Sequence, residues 1–390
     1  MKTQKFKQTE IGKIPEDWEE VELEILGKIK TGKGTEKLST GKYKLLGANG
    51  LIGFTNNFLE DSPLIYTGRV GTIGQINFQE KEKVWLSDNT LYFTCNNELL
   101  LKYVYYALKK NFGYLNVGST QPLIKQSDFK KLNIQIPKNP PEQQAIAKIL
   151  SSLDEKIELN NKMNKTLEEI GQAIFKKWFI DNPEKEKWEE KPLSNFIDLE
   201  KGLSYKGAGL TDDKKEIPMA NLGTFNLISG FKQDGLKYYR GEYKERNLVK
   251  PGDLIIANTD MTQSRDILGS PAIIPQEINS EKVLFTHHTY AVRHKGSTLS
   301  NYFLYFLFQT PQYRERAIGF ATGTTVLALP KDAIIEIDFK LPPKELLRNF
   351  DKLVLNIFNK ISINNQQNQT LSQIRDALLP KLMSGEVRVK

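Results

Sequence analysis

The chain has 390 residues, 39% of them hydrophobic and 26% charged, with a mean hydropathy of −0.46. That length suits two or more domains with cores of their own, and the composition excludes collagen-like, mucin-like and largely disordered chains. A single cysteine, Cys95, excludes an internal disulfide and a multi-cysteine zinc cluster, and the net charge of +8 raises a nucleic-acid partner without locating it.

The amino-terminal residues are basic but lead into no apolar stretch, and nowhere does the chain approach the ~18 apolar residues of a membrane span. A soluble, intracellular and cytoplasmic protein is expected. Charge is uneven: residues 1–139 carry +5, 140–180 none, 181–342 −1 and 343–390 +4. Phosphate neutralisation depends on local Lys and Arg, so a DNA-binding second half must gather its cations on one face.

The chain is written twice. Asn160-Asn161 and Thr166-Leu167 answer Asn364-Asn365 and Thr370-Leu371. Gly118-Ser119-Thr120 answers Gly323-Thr324-Thr325, and Trp18-Glu19-Glu20 with Gly32 answers Trp188-Glu189-Glu190 with Gly202. The second copy carries a few tens of extra residues between the last two landmarks, so the repeat is one large unit with an insertion.

In chain order, residues 1–139 form a first mixed domain. Leu64-Ile65-Tyr66 and Leu91-Tyr92-Phe93 read as strands, and Leu99 to Leu108 as a short helix. Pro140-Pro141 opens a long central helix over 140–180, in which Leu150, Leu153, Ile157, Asn160, Asn164, Leu167, Gly171, Ile174 and Trp178 keep a coiled-coil spacing. Residues 181–342 form a second mixed domain, with strands at Asp253 to Ile256 and Tyr290 to Val292 and a helix at Ser300 to Phe308. A second long helix and tail follow over 343–390, with Phe350, Leu353, Ile357, Asn364, Asn368, Leu371, Leu378 and Leu382 in a similar stripe and Ile361 offset from it.

The simplest partner for each stripe is the other copy. The expected fold is therefore α+β: two mixed α/β domains, related by an approximate two-fold axis and separated by two long antiparallel coiled-coil helices. Asn160, Asn164, Asn364 and Asn368 in such a seam either fix the register of the pair or mark a wet, loosely packed middle.

Fragments that imitate catalytic motifs lack the decisive residue. Gly27 to Gly34 fits a phosphate loop until Gly34, where Ser or Thr should hold magnesium. Asn139-Pro140-Pro141-Glu142 resembles an adenine-methyltransferase signature, but Glu142 cannot stack on a flipped base. Gly68 to Gly74 lacks dinucleotide-loop spacing and reads as a tight turn. His287, His288 and His294 lack metalloprotease spacing, Cys95 reads as a core residue, and Asp212-Asp213 as solvated surface. No catalytic residues and no metal ligands are assigned.

Three stretches, taken with the duplication, carry a resemblance: Ile11 to Trp18, Asn164 to Phe179 and Leu378 to Val387. Together they resemble the specificity subunits of type I restriction-modification systems. The resemblance implies a non-catalytic, sequence-specific DNA-binding subunit whose two target recognition domains each read one half of a split target. It also implies partners: methyltransferase subunits docked on the paired helices, and restriction and translocase subunits. The chain would bind no cofactor itself, with S-adenosylmethionine, ATP and Mg on those partners. Candidate DNA contacts on loops are Lys30, Lys33, Arg69, Asn89 and Gln121 in the first domain. In the second they are Lys201, Lys206, Thr262, Gln263, Ser264, Arg265 and His287. The competing readings are a stand-alone DNA methyltransferase with an unrecognised site, and a protein scaffold that binds no DNA.

Overall fold

The computed structural model describes residues 5–9, 12–70, 75–111, 124–227, 229–261, 265–324 and 326–389. It divides into two compact units, Met1–Glu158 with Asn368–Lys390, and Leu159–Gln367. The division falls inside both long helices, Pro140–Phe175 and Lys344–Met383, so each unit holds a mixed domain and a stretch of each helix.

In the first unit, Trp18–Glu22 pairs antiparallel with Asn133–Pro137. Lys28–Thr31, Thr90–Thr94, Leu64–Gly68 and Asn77–Gln79 follow one another across an antiparallel four-stranded sheet. A second sheet joins Tyr43–Gly47 antiparallel to Gly50–Thr55 and parallel to Val84–Leu86. The helix Glu98–Asn111 buries Leu101, Tyr103, Val104 and Leu108 in a core that also takes Ile146, Ala147 and Leu150 of the first long helix and Leu382 and Met383 of the second. Arg375 donates to Asp154 (2.5 Å), whose other oxygen accepts from Tyr106 (2.7 Å).

The second unit repeats this plan. Glu190–Pro192 pairs with Asp338–Lys340, and the four-stranded sheet runs Ile197–Lys201, Thr289–His294, Leu254–Ala257, Pro271–Ile273. The parallel pair recurs as Ile217–Ala220 with Val283–Phe285, but in a five-stranded sheet. Lys237–Tyr239 takes the place of Gly50–Thr55 beside that pair, and the two strands with no counterpart in the first unit are Leu210–Thr211 and Leu248–Val249.

Within this unit the two long helices are antiparallel, Asn164 meeting Asn364 and Asn365 while Phe175 meets Phe350. Phe175, Phe179, Phe303, Phe306 and Phe350 form a cluster, mostly edge to face or tilted, with neighbouring ring centroids 5.0–6.0 Å apart. Gly171 admits this cluster, since a Cβ there would stand 2.5 Å from Phe306. The stripe on the second helix differs from expectation at one step. Leu353 points outward at 38% exposure and Val354 is fully buried, because Leu347, Phe350 and Val354 pack into the phenylalanine cluster and the inward face continues through buried Ile357, half-buried Ile361 and buried Asn364. Ile361 is in step with its neighbours, not offset.

The tail closes on its own unit through one guanidinium. Arg388 donates to both oxygens of Asp17 (2.6 and 3.0 Å) and both of Glu142 (2.6 and 2.8 Å). Glu142, the residue that breaks the methyltransferase-like motif, is buried and takes this structural role. The hydrogen bonds from Arg388 hold the Asp17 carboxyl below its usual range. Arg388→Ala leaves Glu142 buried without its cation and is expected to cost about 2 kcal/mol in denaturant unfolding. Because Asp17 is depressed when folded, its share of that difference is present above about pH 4 and fades as pH falls through the lowered value, which unfolding across pH 2–6 checks.

Candidate nucleic-acid interface

At one end of the first four-stranded sheet, three strand ends and a turn meet. The turn 87–90 leads from Val84–Leu86 into Thr90–Thr94. Thr90 donates to the Ser87 carbonyl from both its amide (3.0 Å) and its hydroxyl (2.6 Å). Gly32 crosses beneath, its amide donating to Thr90 O (3.0 Å), and a Cβ there would lie 2.0 Å from Ser87 O. From the other side Arg69 N–H donates to Asn89 O (2.9 Å), and Arg69 O accepts from Ile124 (2.9 Å).

The second unit builds the same corner. Thr289 donates to Thr286 O from amide (2.9 Å) and hydroxyl (2.8 Å). Gly202 donates to Thr289 O (3.2 Å), and a Cβ there would lie 2.2 Å from Thr286 O. Asn258 N–H donates to His288 O (3.0 Å), and Asn258 O accepts from Leu329 (2.8 Å). By these bonds Asn258 stands where Arg69 does, and His287-His288 where Asp88-Asn89 does.

The sequence candidates distribute unevenly on this frame. Lys33, Arg69 and Asn89 come together at the first corner. Lys33 and Asn89 are exposed, and Arg69 Nε is buried without a hydrogen-bond partner among the described residues. Lys30 does not join them as a loop residue. It lies on the strand Lys28–Thr31, paired with Glu60, which also accepts from Tyr92 (3.0 Å), and its ammonium is 5.7 Å from the Tyr92 ring. Strand pairing of Ile29 with Phe93 and Lys30 with Tyr92 put it there, a long-range contact that the local glycines do not signal.

In the second unit His287 lies at the corner, and Lys201 is also on a strand, exposed at its end. Lys206 is exposed before the short turn Gly207–Gly209, next to Tyr205, whose ring centroid is 6.5 Å from that of His287. The His287 and His288 rings are 3.8 Å apart. Asn258 Nδ2 donates to His287 O (3.1 Å), and His288 Nδ1 shares a proton with Thr259 Oγ1 (2.9 Å). Burial, then the neighbouring His287 and Lys201, lower the His288 pKa, so its imidazole is neutral at pH 7. Gln121, Thr262, Gln263 and Ser264 lie outside the described residues.

Arg265 has a left-handed backbone (φ 58°), and two groups the sequence did not flag brace its segment. Asp260 accepts from Ile267 N–H (2.9 Å). Arg314, on the helix Pro311–Gly319, donates to the carbonyls of Arg265 (3.3 Å), Asp266 (3.0 Å) and Leu268 and to Ser270 Oγ (3.2 Å). Backbone carbonyls are offered by any sequence, so no local pattern announces a guanidinium that binds them.

Of the polar seam residues, Asn160 and Asn364 are buried. Asn164 Nδ2 donates to Asn365 Oδ1 (2.8 Å), Asn364 Nδ2 to Asn164 Oδ1 (2.8 Å), and Asn160 Nδ2 reaches Gln367 Oε1 (3.4 Å). Asn365 also donates to Glu277 (2.7 Å), and Asn368 is half-buried. Cys95 is half-buried against the first core, its thiol pushed up by burial. Among the described residues no group of three or more His, Cys, Asp or Glu could hold a metal ion, and no helix is long and apolar enough to cross a membrane.

The same corner built twice meets a matching result from comparison with known proteins. The type I restriction modification DNA specificity domain matches residues 15–169 and again 185–373. The chain belongs to that family. It is 28% identical to the type I restriction enzyme MjaIX specificity subunit of Methanocaldococcus jannaschii, over 99% of this chain and 97% of that one. It is 27% identical to the HindI specificity subunit of Haemophilus influenzae, over 69% and 72% respectively. In fold it is similar to the crystal structure of an S subunit from M. genitalium, with a TM-score of 0.55 at 19% identity over 97% and 98% of the two chains. The duplicated α+β architecture and the long helices are those of a specificity subunit, whose role is DNA recognition and not catalysis.

Arg314 holds its segment through a fork that an ammonium cannot reproduce. Arg314→Ala is expected to lower stability by about 2 kcal/mol in urea unfolding, with Arg314→Lys restoring only part of it.

Proposed function

We propose that the chain reads a split DNA target, one half-site per mixed domain, and carries methyltransferase and restriction subunits to it. The observation that supports this reading best is the corner at the end of each four-stranded sheet, assembled twice from the same backbone contacts. Lys33 and Arg69 in one unit and Lys201 and Lys206 in the other would fix the phosphates, leaving turn and loop residues for base edges in the major groove.

The paired helices are proposed to set the gap between half-sites and to dock partners. Leu159, Met163 and Ile170 are exposed on the first long helix at spacings that place them on one face, a stripe suited to an apolar partner helix. S-adenosylmethionine, ATP and Mg would enter with the methyltransferase and translocase subunits, in the cytoplasm. Asn164, Asn364 and Asn365, hydrogen-bonded across the seam, would hold the helix register, as polar seam residues do at some cost in stability.

Selection from a randomised duplex library tests the reading. The chain with its partner subunits is expected to enrich a motif of two short specific segments around a fixed gap. Removing seven residues from each long helix shortens the pair by about 10 Å and is expected to change that gap; an unchanged gap refutes the role of the helices in setting it. Arg265→Asn keeps a residue that tolerates the left-handed backbone while deleting the guanidinium. It is expected to weaken the enriched site about tenfold more than random DNA, as for a base contact. Methyl transfer from labelled donor by the purified chain alone would instead establish a stand-alone methyltransferase.

A further inference from the structure

The bonds that shape the turn at each corner leave its two central side chains almost unused. The threonine hydroxyl, the crossing glycine and the neighbouring strand end all engage backbone carbonyls or amides of the turn. Asp88 and Asn89 are exposed and make no side-chain hydrogen bond or ion pair among the described residues. His287 Nδ1 is buried and lacks a partner among those residues, so only the rest of its ring is available, and His288 spends only Nδ1, on Thr259. The frame is therefore constant between the units while the groups it presents differ completely.

We infer that the two central residues of this turn, Asp88-Asn89 in the first unit and His287-His288 in the second, are the base-reading pair of their half-sites, and that their different chemistry makes the half-sites differ. The inference rests on the split-target reading proposed above. An asparagine amide can both donate and accept, which suits the adenine edge, and a carboxylate accepts from the cytosine amino group. A carboxylate is repelled by phosphate, so in a turn placed against DNA Asp88 would meet a base edge and not the backbone. The imidazoles offer single donors or acceptors in place of a bidentate amide. His288, neutral at pH 7, acts through a ring nitrogen and not as a phosphate cation. Lys33 and Arg69 beside one turn, and Lys201 beside the other, supply the positive charge that would hold the backbone while the turn reads.

The full chain, with its partner subunits, is put through the same randomised library as the wild type and as D88A/N89A and H287A/H288A. Each double variant is expected to lose at least tenfold of the preference at one or two adjacent base pairs of a single half-site. The other half-site should be unchanged for both, as should the melting temperature of D88A/N89A, while H287A/H288A, which loses the His288–Thr259 hydrogen bond, is compared at a temperature at which it stays folded. Asn89→Asp, nearly isosteric and exposed, replaces a donor by an acceptor and is expected to change which base is preferred without loss of folding. A wild type that enriches no split motif overturns the split-target reading itself. A wild type that enriches one, with double variants or Asn89→Asp enriching the same motif unaltered, overturns only the assignment of the turn. Equal weakening on every sequence makes the turn a phosphate contact and overturns it too.

Discussion

One steric constraint organises each mixed domain: a strand end must pass directly beneath a turn of the same sheet. At Gly32 and Gly202 the passing backbone comes so close that a Cβ would fall 2.0 and 2.2 Å from a carbonyl oxygen. Only glycine permits that approach. Once it is made, the crossing amide and the threonine hydroxyl satisfy the turn's carbonyls, and the neighbouring strand locks it from the far side. A rigid tip results without help from the side chains at its centre. Rigid presentation of variable groups is what a recognition surface requires, because contacts to base edges fail when the reading group is loosely held.

The helix seam resolves a conflict of a different kind. An apolar stripe would bury more favourably than asparagine, yet Asn160 and Asn364 are buried and Asn164 is held by two amides from the facing helix. Such groups cost free energy unless hydrogen-bonded, and a shift by one turn would break the bonds. Away from these amides the second unit relies on apolar packing, with Phe175, Phe179, Phe303, Phe306 and Phe350 gathered where Gly171 lets the helix approach. Stability and alignment are thus carried by separate stretches of the same two helices.

How far the sequence could be read follows from the range of the interactions. Duplication, strand positions and the long helices depend on local periodicity and on punctuation by Gly, Pro and Asn, and these were legible. The phase of the second stripe was not, since Leu353 and Val354 are equally apolar and the packing of Phe350 among Phe175, Phe179 and Phe306 chooses between them. Lys30 looked like a loop cation because glycines flank it, but its partner Glu60 lies thirty residues away, bridged to Val84 of another strand. Arg314 was invisible because its acceptors are main-chain carbonyls.

By itself, the sequence determined that the chain is two copies of one α+β plan joined through amphipathic helices, and that it resembles DNA specificity subunits. Repeats and periodicities are properties of the linear order and survive without coordinates. Only the tertiary structure decided which polar residues share a corner. Gly32, Arg69 and Asn89, or Gly202, Asn258 and His288, are brought together by strand pairing across tens of residues, and the free energy of that pairing is not written in any one of them.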